Sequence, residues 1–214
     1  LKMKIKVDKL LIISTLICLL PIILSLIVYD KLPDTMPIHW DIEGNPDGYG
    51  SKAFAAIWLP LMMAGLNLIT HFGLNTDPKK ANSSKILKLI GKLTIPFLSL
   101  TLLPITIFAG LGYEIAIERI VPAFVGLLFI IVGNYLPKSK QNYTVGIKLP
   151  WTLDNETNWN KTHRLAGYLW IIGGVVMFVN SFLQIYWTPV FFIIIGSMVF
   201  IPALYSYILY RNGN

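Results

Sequence analysis

The sequence predicts an all-α integral membrane protein of about six transmembrane helices, and three observations carry that reading. Apolar residues make up 55% of the 214 and charged residues only 14%, a balance outside the usual soluble range. The apolar residues gather into runs of roughly 20, the length that crosses about 30 Å of hydrocarbon as a helix. Those runs lack strand-like alternation, and a bilayer gives backbone groups no water to pair with, so each run must satisfy its own backbone as a helix rather than as part of a barrel.

The spans are expected near 10–29, 53–73, 93–112, 119–137, 165–185 and 189–210. Lys2, Lys4, Lys6 and Lys9 before the first run resemble a signal peptide's charged start. The run is long and no small-residue cleavage site follows it, so it reads as a retained first helix. Cys18, the single cysteine, lies inside that run, which excludes an intrachain disulfide and a thiolate metal cluster. Net charge is +7, but the basic residues fall between apolar runs, where they set topology and meet lipid headgroups rather than nucleic acid. The amino terminus and the segments 74–92, 137–164 and 211–214 hold fifteen Lys and Arg, against Lys31, Lys52 and Arg119 on the other side. Both termini are therefore expected in the cytoplasm of a bacterial multi-pass plasma-membrane protein. Carboxylates lean the other way, with Asp30, Asp34, Asp41, Glu43, Asp47, Glu114 and Glu118 on the outer face.

Two connections are long, the outer 30–52 and the inner 137–164, and loops of this kind are where function concentrates. In the outer one Ile38, Trp40 and Ile42 alternate with His39, Asp41 and Glu43, the pattern of a strand with one apolar face. Asn45-Pro46-Asp47-Gly48 suits a turn, giving a short extracellular hairpin between helices 1 and 2. The row His39, Asp41, Glu43 suits a recognition face, a divalent-metal site, or the solvated side of a hairpin. No third region supplies a further ligand, so no metal is assigned. Trp40 and Tyr49 fit interfacial anchoring. In the inner segment Asp154 is a candidate N-cap, after which Trp159, His163, Ala166 and Trp170 recur at helical spacing and lead into the fifth span.

Gly133-Asn-Tyr-Leu-Pro-Lys, Asn142, Gly146-Ile, Pro150-Trp-Thr-Leu, Trp159 and Thr162-His-Arg together resemble the signature of the Sdp immunity-protein family. Leu32-Pro33, Met36-Pro37, His39-Trp40, Gly44, Pro46-Asp47-Gly48 and Lys52 resemble the domain of unknown function, DUF1648, that often precedes it. The two motifs cover about a quarter of the residues, in the right order, and divide the chain into 1–74 and 75–214. The resemblance implies a membrane protein that confers resistance to a secreted peptide toxin of the sporulation-delaying type. It implies a second role as well, capture of a cytoplasmic transcriptional repressor at the membrane. Toxin recognition would fall on His39, Trp40, Asp41, Glu43, Asp47, Tyr49 and Lys52 of the outer loop. Repressor capture or signalling would fall on Asn134, Asn142, Pro150, Trp151, Thr152, Trp159, Thr162, His163 and Arg164. Its partners would be membrane lipids, the toxin and the repressor, with no cofactor.

Two other function classes fit less well. An enzyme would pair His39 with Asp41 or Glu43, or His163 with Asp154 or Glu156, as acid and base, but no nucleophile motif or phosphate loop accompanies them. A small-molecule or peptide transporter would line a pathway with polar groups. Asn67, Thr70, His71, Thr94, Ser99, Asn134, Asn180 and Gln184 are available, yet no carboxylate or basic residue lies mid-span. Such residues also tie helices together, as Gly65, Gly126, Gly173 and Gly174 do by close approach, and Pro96, Pro104 and Pro202 read as kinks.

Overall fold

A computed structural model of the chain describes residues 9–79, 81–82 and 84–213, so Lys2, Lys4, Lys6 and Lys80 lie outside the described residues. The order is α1 (Lys9–Ile27), β1 (Thr35–Trp40), β2 (Pro46–Ser51), a π-helical turn (Phe54–Trp58) that runs into α2 (Leu59–Thr76), α3 (Lys85–Gly110), α4 (Ile117–Tyr135), a single-turn α5 (Pro150–Asp154), α6 (Glu156–Leu183) and α7 (Trp187–Arg211). Among the described residues six helical stretches are long and apolar enough to cross a membrane: Lys9–Ile27, Phe54–Thr76, Lys85–Gly110, Ile117–Lys138, Glu156–Leu183 and Trp187–Arg211. Their outward side chains are large and apolar, with Ile69 and Phe200 68% and 72% exposed, which only a lipid surface tolerates over so wide an area. The protein is a six-span membrane protein.

Two helices begin earlier than the apolar runs. α3 starts at Lys85 and α6 at Glu156, because polar helix-forming residues extend each helix beyond the hydrocarbon. The N-cap of α6 is Asn155 rather than Asp154. The Asn155 side-chain oxygen accepts from the Asn158 N–H at 2.9 Å, while Asp154 closes α5.

The chain forms two compact units, one of residues 1–75 with 89–116 and one of 76–88 with 117–214. In the first, the hairpin rests on Leu32, Met36, Ala55 and Ile107, with Leu24, Val28, Tyr29, Ile38 and Leu111 around them. Polar side chains tie its helices. The Asn67 amide of α2 donates to the hydroxyls of Ser14 (2.9 Å) and Thr15 (3.0 Å) on α1. His71 Nε2 meets the same Ser14 hydroxyl at 3.2 Å, and the Ser99 hydroxyl of α3 donates to the Cys18 carbonyl at 2.8 Å.

In the second unit α4 and α6 touch backbone to backbone at two levels. A Cβ on Gly126 would lie 2.8 Å from the Gly174 carbonyl oxygen, and one on Gly174 2.6 Å from that of Gly126. One turn-pair further along, a Cβ on Gly133 would lie 2.9 Å from the Gly167 oxygen, and one on Gly167 2.8 Å from that of Gly133. Ascending numbers on one helix match descending numbers on the other, so the pair is antiparallel. Small residues of this kind are how membrane helices gain contact without a hydrophobic driving force. α7 joins α6 through Asn158, whose amide nitrogen donates to the Ser206 carbonyl (2.9 Å) while its oxygen accepts from the Ser206 hydroxyl (2.6 Å). The turn between them places Gln184 and Tyr186 at positive φ. Asn180 spans it, exchanging two bonds of 3.0 Å with the Ile185 backbone.

Gly126→Ala should therefore force α4 from α6 and lower stability by about 1–3 kcal/mol, the usual cost of overpacking. Gly65→Ala on α2, whose Cβ meets nothing within 4 Å, should be neutral or stabilising. Thermal unfolding of both variants in lipid nanodiscs checks the pair.

Candidate functional site

The hairpin turns at Asp41 to Asn45 rather than at Asn45 to Gly48. The Asp41 carboxylate accepts from the N–H groups of Asn45 (2.8 Å) and Glu43 (2.9 Å) and from the Asn45 amide (3.2 Å), and Gly44 takes φ +87°. An aspartate that can satisfy three donors outcompetes the Pro46-Asp47-Gly48 turn, because Pro46 is equally at home as the first residue of a strand. These bonds, the Asn45 N–H foremost, hold the Asp41 carboxyl below its usual range. The expected row of His39, Asp41 and Glu43 on one strand face is consequently broken. Asp41 is drawn into the turn, Glu43 is exposed on it, and His39 Nδ1 pairs instead with the Asp47 carboxylate on the facing strand. Gly48 makes room for that pair, since a Cβ there would sit 2.8 Å from the His39 Cβ. Tyr49 is exposed and Trp40 half-buried. Lys52 anchors the base, 3.2 Å from Asp34 and over the Tyr29 ring.

The inner candidates divide by burial. Asn142, Thr152, Trp159, Thr162 and His163 are fully buried, Trp151 is half-buried, and Asn134, Pro150 and Arg164 are exposed. Asn142 is the hub of its loop. Its oxygen accepts from the N–H groups of Val145 (2.7 Å) and Thr144 (3.0 Å), and its amide donates to the carbonyls of Lys140 (2.8 Å) and Val145 (3.0 Å). Trp159 donates to the Ser139 carbonyl at 2.7 Å and stacks on His163 at 3.9 Å between ring centres. His163 Nδ1 lies 2.7 Å from the Trp159 carbonyl, and Nε2 lies 2.8 Å from the Ile147 N–H. A carbonyl can only accept and an N–H only donate, so the ring is the neutral Nδ1–H tautomer with both nitrogens engaged. Gly146, at φ +125°, passes against this stack, where any Cβ would collide with His163 and Trp159. The Thr152 hydroxyl accepts from the Leu149 N–H and donates to the Ile147 carbonyl, each at 2.8 Å. Thr162 donates to Asn158, and Trp151 packs on Tyr207 and Tyr210 of α7.

Sequence reasoning missed the partner of this loop, the connection 77–82. The Asp77 carboxylate accepts from the Lys79 N–H (2.7 Å), the Tyr143 N–H (3.0 Å) and the Thr144 hydroxyl (2.7 Å). Lys79 donates to the Gln141 side chain at 2.8 Å, Asn82 to the Gln141 carbonyl at 2.9 Å, and the Lys140 N–H to the Asn82 carbonyl at 3.0 Å. Two crossings separate the segments, so a six-span chain must bring them to one membrane face. The only sequence signal was an Asp-Pro pair just after a span, which marks a helix end and names no partner. Burial pushes the Asp77 carboxyl up, but the Thr144 hydroxyl and the Lys79 and Tyr143 N–H groups outweigh it and leave it below its ordinary value.

A depressed carboxyl stabilises the fold above its unfolded value of about 3.9 and loses that contribution as pH falls through the folded value. The difference in unfolding midpoint between wild type and Asp77→Asn should therefore be largest near pH 6 and shrink below about pH 4. Asp41 titrates in both proteins and drops out of the comparison.

Residues 138–206 match the SdpI/YfhL protein family and residues 16–64 match a domain of unknown function, DUF1648. The chain is 31% identical over 205 residues to the immunity protein SdpI of Bacillus subtilis (strain 168), covering 95% of this chain and 97% of that one. It is 42% identical over 41 residues to the uncharacterized membrane protein YbgB of the same strain, covering 19% of this chain and 45% of that one. No solved structure matches. Similarity of this extent, over six membrane-crossing helices with both motifs in place, makes the chain a member of the SdpI family of multi-pass bacterial membrane proteins.

Proposed function

We propose that the chain is an immunity protein of the bacterial plasma membrane, giving resistance to a secreted, membrane-active peptide toxin of the sporulation-delaying type. The observation that carries this reading is the similarity to an immunity protein along nearly the whole of both chains. The asymmetry of Lys and Arg supports cytoplasmic termini, which puts the hairpin outside the cell and the 136–155 segment inside. Recognition then belongs to the hairpin. His39, Glu43, Asp47 and Tyr49 are exposed there, while Trp40, Asp41 and Lys52 hold its shape.

On the inner face Asn142, Thr152, Trp159, Thr162 and His163 work as a scaffold, since their polar atoms bond within the protein. Asn134, Pro150, Arg164 and the edge of Trp151 are the surface left to meet a transcriptional repressor. The protein acts by binding rather than catalysis. The His163 ring, with both nitrogens engaged, has no lone pair to offer a substrate proton, and among the described residues no hydroxyl or thiol bonds to the His39–Asp47 pair.

Expression in a toxin-sensitive Bacillus strain stripped of its own immunity genes should restore survival and membrane potential under the added toxin. His39→Ala and Asp47→Ala should reduce protection at unchanged protein level. His163→Ala should reduce the protein level itself, because it removes the fully buried ring stacked on Trp159 and leaves the half-buried Ile147 N–H without its acceptor, at a cost of about 1–3 kcal/mol. A correctly inserted wild-type chain that gives no protection would overturn the reading.

A further inference from the structure

A two-stranded hairpin has two outer edges, and here they differ. Thr35, Met36 and Pro37 of β1 face Ser51, Gly50 and Tyr49 of β2 in antiparallel register. The Lys52 N–H donates to the Asp34 carbonyl at 3.0 Å, which makes the 34/52 pair a hydrogen-bonded one. Bonded and non-bonded pairs alternate along an antiparallel ladder, so 36/50 is bonded while 35/51 and 37/49 point their backbone groups outward. Pro37 has no N–H to present, and β1 is blunted at its centre in the way edge strands commonly are. Tyr49 turns both its N–H and its C=O outward along β2, and Ser51 its N–H, while the Ser51 hydroxyl accepts from the Phe54 N–H and its carbonyl begins the helix that starts at Lys52. The side chains of Asp47, Tyr49 and Ser51 are all exposed, Tyr49 by 60%. The hairpin and its flanks, residues 30–52, carry five carboxylates (Asp30, Asp34, Asp41, Glu43, Asp47) against two ammonium groups (Lys31, Lys52).

We infer that the outer edge of β2 captures an extended cationic peptide by adding it as a third strand. This deepens the immunity reading and rests on it for the peptide's identity. Main-chain bonds to both backbone groups of Tyr49 and to the Ser51 N–H supply sequence-tolerant affinity. The acidic surround selects basic peptides and speeds their approach, and the exposed Tyr49 ring covers an apolar side chain of the incoming strand. Pro37 gives the strand one edge on which to dock, so the capture is directional and does not propagate.

The test uses the full chain in phosphatidylcholine nanodiscs and a blocked synthetic decapeptide of alternating lysine and valine, beside the same peptide N-methylated at each valine. Tyr49→Pro removes the outward donor and spares the β1–β2 ladder, as Pro37 does opposite. Amide protection at Gly50 verifies that the ladder is intact. Tyr49→Val removes the ring and keeps the donor. The expected result is salt-sensitive binding of the parent peptide, weakened about tenfold by Tyr49→Pro and less than about threefold by Tyr49→Val, with little binding of the methylated peptide. Equal affinity of the two variants, equal affinity for the two peptides, or no binding of the parent peptide overturns the edge. In cells, undiminished protection by Tyr49→Pro beside a protective wild type overturns the edge and leaves immunity standing. A non-protective wild type overturns immunity, and the nanodisc measurement then decides the edge independently.

Discussion

Hydrocarbon offers no hydrogen-bond partner, and most of this protein's internal arrangement follows from that lack. Polar side chains within the spans gain most by pairing with one another or with a backbone carbonyl. Asn67 therefore reaches Ser14 and Thr15, Ser99 reaches the Cys18 carbonyl, and Asn158 and Ser206 exchange two bonds. These contacts set which helices are neighbours within each unit. Glycine sets how near they come, since the Gly126–Gly174 and Gly133–Gly167 crossings leave no room for a side chain. Large apolar residues, which would form the core of a soluble protein, are turned outward to lipid. Specificity thus rests on small and polar residues, and bulk apolarity only places the helices in the membrane.

The helices were legible because span length and apolarity are local properties, readable from any twenty-residue window. The hairpin was legible in kind and misplaced in detail. Asn45 to Gly48 has the composition of a turn, but Asp41 gathers three donors four residues along the chain, and no propensity encodes that competition. The Asp77 bonds to Tyr143 and Thr144 were invisible for another reason. They join positions more than sixty residues apart, and a single sequence carries no record of such pairing. The glycines were visible as small residues in spans, but that Gly126 faces Gly174 is a fact of tertiary register.

The family signature acquires a physical meaning here. Asn142, Gly146, Thr152, Trp159 and His163 form one lattice in which the asparagine ties the loop to itself, the tryptophan and histidine stack beneath it, and the glycine passes where no side chain fits. A motif of polar and aromatic residues on a connecting segment invites a reading as a binding face. Burial of Asn142, Thr152, Trp159 and His163 makes them a scaffold that holds the exposed residues around them in place, and on the hairpin Asp41 and Lys52 bear the same relation to His39 and Tyr49.

The stitch between the 77–82 connection and the 139–144 loop also imposes an order on biogenesis. Asp77 leaves the ribosome long before its partners, and at 5–20 residues per second Thr144 follows about 3 to 13 s later. Through that interval the carboxylate stays hydrated and α3 and α4 must both enter the bilayer, because only two completed crossings return the chain to the face where Asp77 waits. Closure of the stitch is thus a checkpoint on insertion, and a nascent chain in which either helix stalls keeps its Asp77 carboxylate and Asn82 carbonyl open to water.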